Sequence, residues 1–237
     1  MKVCTDACLF GAWIANKASS FQSPVSSCLD IGTGTGLHSL MSAQMIPAKI
    51  NAVEIDKAAA QQPQENFEAS PWKGRLNIYN TSIQQFSQSS IQPINQSTNQ
   101  SFNHSTKYDL IMSNPPFFEN DLKSDNEKRN LALHSAELSL EELLDAINKH
   151  LKDEGSFAVL LPYHRTQQFI NSAIQQSFHL TEKILVKQTP AHNYFRGMLW
   201  FTKESTSAKQ SEIIIRNEEG KYTNEFVGLL KDYYLYL

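Results

Sequence analysis

The stretch Ser27-Cys28-Leu29-Asp30-Ile31-Gly32-Thr33-Gly34-Thr35-Gly36 limits the folds open to this chain more than any other. Its first half is a short apolar run of the kind buried in a sheet, and Gly36 to Met45 has the pattern of a helix. The glycines between them permit a tight turn. A strand, a glycine turn and a helix form the opening unit of a parallel sheet covered by helices. The spacing is G-x-G-x-G, not the G-x-G-x-x-G of dinucleotide sites, and no phosphate-binding Lys follows, which excludes a P-loop. Glu54 ends the next strand, Ile50 to Asp56, at 22 residues beyond Gly32. A carboxylate there can accept both hydroxyls of a ribose. Asp30 adds a second carboxylate just before the loop. It would repel a pyrophosphate but suits a cationic ligand such as the amino group or sulfonium of S-adenosyl-L-methionine. That cofactor is the expectation, ahead of NAD and of a purely structural turn.

A second stretch is Tyr108-Asp109-Leu110-Ile111-Met112 followed by Asn114-Pro115-Pro116-Phe117. It reads as a buried strand that stops in a rigid tetrapeptide, because the prolines remove ladder donors and hold the chain extended. Strand ends are where open α/β sheets bind ligands. An amide oxygen, a fixed carbonyl and an aromatic face suit a planar group bearing NH2. Alone, the tetrapeptide fits a Pro-Pro turn equally well. Beside a cationic methyl donor it gains a function. If Asn114 Oδ1 and the Pro115 carbonyl each accept one N–H of an aryl amine, its lone pair is freed toward the methyl group, and Phe117 can stack on the base. Catalysis is then mostly alignment. Adenine N6, cytosine N4 and a protein glutamine all satisfy this geometry.

The rest of the chain continues the alternation. Leu9, Ala12 and Trp13 fall at helical spacing behind Thr5 and Asp6. Ala58 to Glu68 is helical, with a kink or late start expected at Pro63. Leu76 to Tyr79 is a third strand. Ser139-Leu140-Glu141-Glu142 fits a capping box, opening a helix expected to reach about Lys152 and to be stopped by Gly155. Phe157 to Leu161 is a strand and Arg165 to Ser177 a helix. Strands near Ile184–Val186 and Met198–Phe201 form an antiparallel edge hairpin, and Ile213 to Ile215 is a short β segment. Glu225 to Tyr234 is an amphipathic helix. The expected fold is Rossmann-like α/β, a mostly parallel seven-stranded sheet with helices on both faces, in a single domain over 1–237.

One segment breaks the pattern. Fifteen of the twenty residues 87–106 are Ser, Thr, Asn or Gln, and no charged residue occurs between Arg75 and Lys107. Such a segment buries too little apolar surface to offset its ordering entropy. It reads as a flexible low-complexity insertion.

The net charge of −3 gives no global attraction to nucleic acid, but residues 160–210 hold six Lys or Arg against Glu182 and Glu204. Arg165, Lys187 and Arg196 are candidates for phosphate contacts. His134, His164 and His192 have no metal-ligand spacing and read as surface residues. Cys4, Cys8 and Cys28 make neither a disulfide framework nor a zinc site. No run approaches the length needed to span a membrane and no signal peptide is evident, so a cytoplasmic protein without a metal is expected.

Taken together, these motifs resemble the bacterial tRNA(Val) adenine N6-methyltransferases, over nearly the whole chain. Met1-Lys2-Val3-Cys4-Thr5-Asp6 with Gly11-Ala12-Trp13 is similar to that family's opening motif, Cys28 to Leu37 to its glycine loop, and Ala52 to Asp56 with Glu65-Asn66 and Ser70-Pro71-Trp72 to its second motif region. Asn114-Pro115-Pro116-Phe117-Phe118 matches its acceptor motif. The resemblance implies a class I methyltransferase fold and N6-methylation of an adenosine 3′ of the anticodon of valine tRNA by a monomer or weak oligomer. DNA adenine, protein glutamine and RNA binding without turnover are the alternatives. It implies cofactor contacts at Thr5, Asp6, Asp30, Gly32, Thr33, Gly34, Gly36, Glu54, Ile55, Ser82 and Asn114, and an acceptor site of Asn114, Pro115, Pro116 and Phe117. Three departures stand out. Family members usually begin some two dozen residues earlier, Ser82 stands where the family has an Asp, and the insertion at 87–106 is not a family feature.

Overall fold

A computed structural model describes residues 3–86, 92–95, 107–115 and 138–237. Its elements in chain order are α1 (Thr5–Ser19), β1 (Ser27–Ile31), α2 (Leu37–Met45), β2 (Lys49–Glu54), α3 (Lys57–Ala69), β3 (Leu76–Asn80), α4 (Ile83–Phe86) and β4 (Tyr108–Ser113). They continue with α5 (Leu140–His150), β5 (Leu151–Pro162), α6 (Tyr163–Gln175), β6 (His179–Lys187), β7 (Tyr194–Thr202), β8 (Lys209–Ile214) and α7 (Asn224–Leu230). Met1, Lys2, Pro116, Phe117, Phe118, the loop around 119–130, His134 and most of the 87–106 insertion lie outside the described residues.

The strands form one sheet of eight in the order β3-β2-β1-β4-β5-β7-β6-β8. β1 to β5 are mutually parallel. β7 runs antiparallel to both β5 and β6. The expected hairpin is present, but its second strand is inserted between β5 and β6, and β8 adds an eighth strand parallel to β6 at the edge. Only the end of this last strand is anchored inward. Ile213 and, just beyond it, Ile215 are buried, while Lys209 to Glu212 are exposed.

Side chains alternate between two apolar layers, as the strand period requires. Cys28, Ile50, Ala52, Ile78, Leu110, Met112, Ala158 and Trp200 pack with α1, α2, α7 and Phe67 of α3. Leu29, Ile31, Val53, Tyr79, Ile111, Phe157, Val159 and Phe201 pack with α4, α5 and α6. Asp30, on β1 between Leu29 and Ile31, is completely buried.

Two local expectations are corrected by packing. α5 ends at His150, so Lys152 and Gly155 belong to β5. The pairing with β4 jumps from Tyr108↔Leu151 to Leu110↔Ser156, and the extra residues bulge out. α3 runs through Pro63 from Lys57, where Asp56 Oδ1 accepts from the Ala59 N–H at 2.7 Å. Pro63 is buried, and burial of its ring offsets the lost helix bond.

Residues 92–95 cover the free edge of β3. The Ile94 N–H donates to Ile78 O at 2.8 Å, Asn95 Oδ1 accepts from the Ile78 N–H at 3.1 Å, and Asn95 Nδ2 donates to Leu76 O at 2.8 Å. Among the described residues no helix is long and apolar enough to cross a membrane.

Register places the site. Ile31 lies beside Val53 on one side and Ser113 on the other, Glu54 beside Asn80, and Ser113 beside Val159. The carboxyl ends of β1 to β4 therefore form one ridge. The chain leaves β1 toward β2 and later returns on its other side as β4, the topological switch point where such sheets bind ligands.

Candidate active site

The glycine loop leaves β1 on this ridge. Gly32, Gly34 and Gly36 have φ of 71°, 56° and 78°, the left-handed region that only glycine occupies without strain. At Gly36 a side chain is also excluded by contact, since a Cβ would stand 2.6 Å from Phe67 Cε1 and 3.1 Å from Pro63 Cβ. The loop is pinned to β2, with the N–H groups of Gly32 and Thr33 donating to Val53 O at 2.9 and 3.2 Å. Asn66 of α3 holds its far side by donating Nδ2 to Thr35 O at 2.9 Å.

Glu54 closes the loop from the next strand. Its Oε2 accepts from the Gly34 N–H at 3.0 Å and its Oε1 from the Asp56 N–H at 3.1 Å. Asn80, at the end of β3, braces the strand behind it, donating Nδ2 to Glu54 O at 2.9 Å and Ile55 O at 3.2 Å. Ile55 is exposed just beyond the strand end. Ser82 is half-buried beyond β3, and its Oγ accepts from the Gln85 N–H at 3.2 Å, capping α4.

Asp30 is the least satisfied group of the site. Its Oδ2 accepts from Thr33 Oγ1 at 2.6 Å and Ser39 Oγ at 2.7 Å. Its Oδ1 is buried with no hydrogen-bond partner among the described residues. A buried carboxylate oxygen left so is costly, and a cationic ligand group would satisfy it.

Asn114 follows Ser113, whose Oγ donates to Ile31 O at 2.9 Å and ties β4 to the root of the glycine loop. Since Ile31 and Ser113 are register partners, Gly32 and Asn114 leave adjacent strands at the same level. Asn114 is half-buried and Pro115 buried.

Thr5 and Asp6 open α1, which is drawn onto α2 through Gly11. A Cβ at Gly11 would meet Met41 Sδ at 2.6 Å and His38 Cδ2 at 3.2 Å. His38, buried in the first turn of α2, donates Nε2–H to Ala7 O at 3.2 Å. Burial lowers its pKa against the pull of Asp30, so the neutral ring is favoured. Asp6 Oδ1 accepts from the Ala7 N–H at 3.1 Å, and Oδ2 accepts from Arg196 Nε at 2.7 Å.

The structure thus brings together Asp30, the loop glycines, Thr33, Glu54, Ile55, Ser82, Asn114 and Pro115 on one ridge, with Thr5 and Asp6 tied to it through His38. Sequence reasoning missed His38, Ser39, Asn80 and Ser113. Polar residues placed at strand ends and in a helix's first turn were the available signal. Of the basic candidates, Lys187 lies 3.5 Å from Glu212 and Arg196 bonds Asp6, while Arg165 is half-buried. His164 and His192 are exposed, as expected. No group of three His, Cys, Asp or Glu among the described residues is arranged to hold a metal.

Residues 17–189 match the family described as methyltransferase small domain. A Proteus mirabilis protein named tRNA1(Val) (adenine(37)-N6)-methyltransferase is 36% identical over 243 residues, covering 100% of this chain and 88% of its own. The protein of that name from Flavobacterium psychrophilum is 35% identical, covering 99% and 93%. The chain belongs to the tRNA1(Val) (adenine(37)-N6)-methyltransferase family. Solved structures share the chain's fold. A predicted O-methyltransferase from Agrobacterium tumefaciens superposes with a TM-score of 0.65 at 12% identity, over 94% of this chain and 95% of that one. A putative RNA methyltransferase from Pyrococcus horikoshii does so with a TM-score of 0.53 at 16% identity, over 84% and 82%. At such identities the likeness concerns the fold alone.

Proposed function

We propose that this protein methylates N6 of an adenine in tRNA, the adenosine 3′ of the anticodon of valine tRNA, using S-adenosyl-L-methionine in the cytoplasm. The observation that carries this reading is the adjacency of Asn114-Pro115 to the glycine loop, where β4 and β1 end in register. Family membership supports the choice of substrate.

The residues present fit the cofactor. Glu54, at the end of β2, has two carboxylate oxygens suited to ribose hydroxyls. Asp30 Oδ1, buried with no hydrogen-bond partner among the described residues, suits a cationic group. Thr5 and Asp6 close the site from α1, and Ser82 and Ile55 border it at the ends of β3 and β2. When bound, S-adenosyl-L-methionine supplies an electrophilic methyl on a sulfonium. Asn114 Oδ1 and the Pro115 carbonyl accept the two amine hydrogens of the base and orient the nitrogen lone pair. Phe117 supplies an aromatic face for the adenine in this reading. Fixed orientation is the main catalytic contribution, with no side chain required as a strong base.

The test is transfer of labelled methyl to tRNA by the purified protein, with cofactor binding followed by calorimetry. Asn114→Ala is expected to lower transfer by roughly a hundredfold or more while cofactor binding persists, the scale of losing positioning at a reacting atom. Retained transfer would sink the alignment mechanism. Absent transfer by the unaltered protein to any tRNA, with cofactor bound, would sink the assignment of substrate.

A further inference from the structure

Arg196, a candidate phosphate contact by sequence, has its charge engaged within the protein. It belongs to β7, opposite Pro162 at the carboxyl end of β5. Its Nε donates to Asp6 Oδ2 at 2.7 Å, joining residues 190 positions apart. The pair is shielded, with the Asp6 side chain 13% exposed and that of Arg196 32% exposed. The guanidinium also lies 5.5 Å from the centre of the Phe195 ring, and its Nη1 donates to Phe195 O at 3.3 Å.

The turn it holds needs holding. Val3, Cys4 and Thr5 are exposed, and Cys4, at the N-cap position of α1, makes no side-chain cap hydrogen bond. Asp6 supplies the missing first-turn contact through Oδ1 on the Ala7 N–H. Two further groups grip the same turn from other elements. His38 of α2 donates to Ala7 O. Tyr234, in the segment after α7, lies beside the side chains of Cys8 and Thr5. Of the three grips, only that of Arg196 acts on the Asp6 carboxylate.

We propose that Arg196 is a positioning residue for the cofactor. It fixes the Asp6 carboxylate, and with it the first turn of α1, which His38 ties to the start of α2 just beyond the glycine loop, and it does not serve as a phosphate contact for RNA. The inference rests on the reading of Thr5 and Asp6 as cofactor residues. It adds that their placement is set from β7, the antiparallel strand inserted beyond β5.

The experiment compares the unaltered protein with Arg196→Ala, Arg196→Lys and Asp6→Asn, and with the Asp6→Asn/Arg196→Ala double variant. It reads the dissociation constant of S-adenosyl-L-methionine by calorimetry, KM for tRNA, and the dependence of that KM on salt. Arg196→Ala is expected to weaken cofactor binding roughly tenfold, as misplacement of a site residue does, with KM for tRNA within about twofold. Arg196→Lys keeps a donor within reach and is expected to recover part of the loss. The double variant is expected to bind no worse than the weaker single one, since the two side chains act as a pair. A melting curve confirms that each variant is folded. Unchanged cofactor affinity with a raised KM for tRNA and a shallower salt slope would overturn the proposal in favour of a phosphate contact. Additive losses in the double variant would also overturn it. Absence of cofactor binding by the unaltered protein would instead refute the function proposed above.

Discussion

At the scale of single residues, the glycine loop is where shape and chemistry are hardest to separate. Gly36 carries both a left-handed φ of 78° and contact with Phe67. Gly36→Ala is expected to destabilise the fold by about 1–3 kcal/mol through backbone strain and overpacking, read as a lowered midpoint in urea. An unchanged midpoint would mean that the loop relaxes freely. Glu54 behaves differently, since its carboxylate is occupied by the N–H groups of Gly34 and Asp56. Glu54→Gln preserves one acceptor oxygen and most of the shape. It is expected to weaken cofactor binding by roughly tenfold, about 1.4 kcal/mol, and to lower the melting temperature modestly, because the new NH2 faces one of the two N–H donors. Equal affinity for Glu54→Gln and the unaltered protein would remove Glu54 from the site. These residues were legible in the sequence because a glycine turn after a strand and an acid at the next strand's end are local patterns. His38 and Arg196 were not, because their roles come from α1 lying across α2 and from β7 returning beside β5.

At the scale of elements, the end of the sheet away from the site is braced by one carboxylate. Asp109 Oδ2, at the start of β4, accepts from the N–H and Oγ of Ser26 and of Ser27 at 2.7 to 3.0 Å, and Oδ1 accepts from Lys152 Nζ at 2.6 Å. Partial burial alone would raise its pKa. The hydrogen bonds from Lys152, Ser26 and Ser27 outweigh it and lower the pKa to about 2. A carboxyl with a depressed folded pKa stabilises the protein above its unfolded value, and that stabilisation fades as pH falls from about 4 through about 2. Asp109→Asn is therefore expected to lower the melting temperature at pH 7, with the difference from the unaltered protein shrinking across that acid range. A constant difference at every pH would contradict the assignment. The same node shows why α5 was expected to run too far. Lys152 continues the helical pattern in sequence, but its ammonium is drawn to Asp109 and the bulge in β5 delivers it there. The start of α5 was legible, because its capping box is complete: Ser139 Oγ accepts from the Glu142 N–H at 3.1 Å and Glu142 Oε2 from the Ser139 N–H at 2.8 Å. Ser139→Ala is expected to cost about 1 kcal/mol, measured by chemical denaturation.

At the scale of the whole molecule, the parallel half of the sheet was legible from alternating strands and helices. The other half was legible only in outline. Two consecutive strands after α6 imply a hairpin, but nothing local says that its second strand enters the sheet next to β5. That choice buries Trp200 and Phe201 on opposite faces, each against aromatic neighbours: Trp13 at 5.5 Å and Phe157 at 4.8 Å between ring centres. It also carries Arg196 to Asp6. The candidate site is the sum of these placements: a carboxylate pair and glycine loop on β1 and β2, Asn114-Pro115 beyond β4, and a first helix tied to α2 and β7. In the proposed function, Asn114 aligns the amine of an adenine for transfer. The most direct measurement incubates labelled S-adenosyl-L-methionine and valine tRNA with the unaltered protein or Asn114→Ala, followed by mass spectrometry of the nucleosides. N6-methyladenosine is expected with the unaltered protein and almost none with Asn114→Ala, although both bind the cofactor. Methylation of a different atom, or N6-methyladenosine formed at the same rate by Asn114→Ala, would contradict the proposed function.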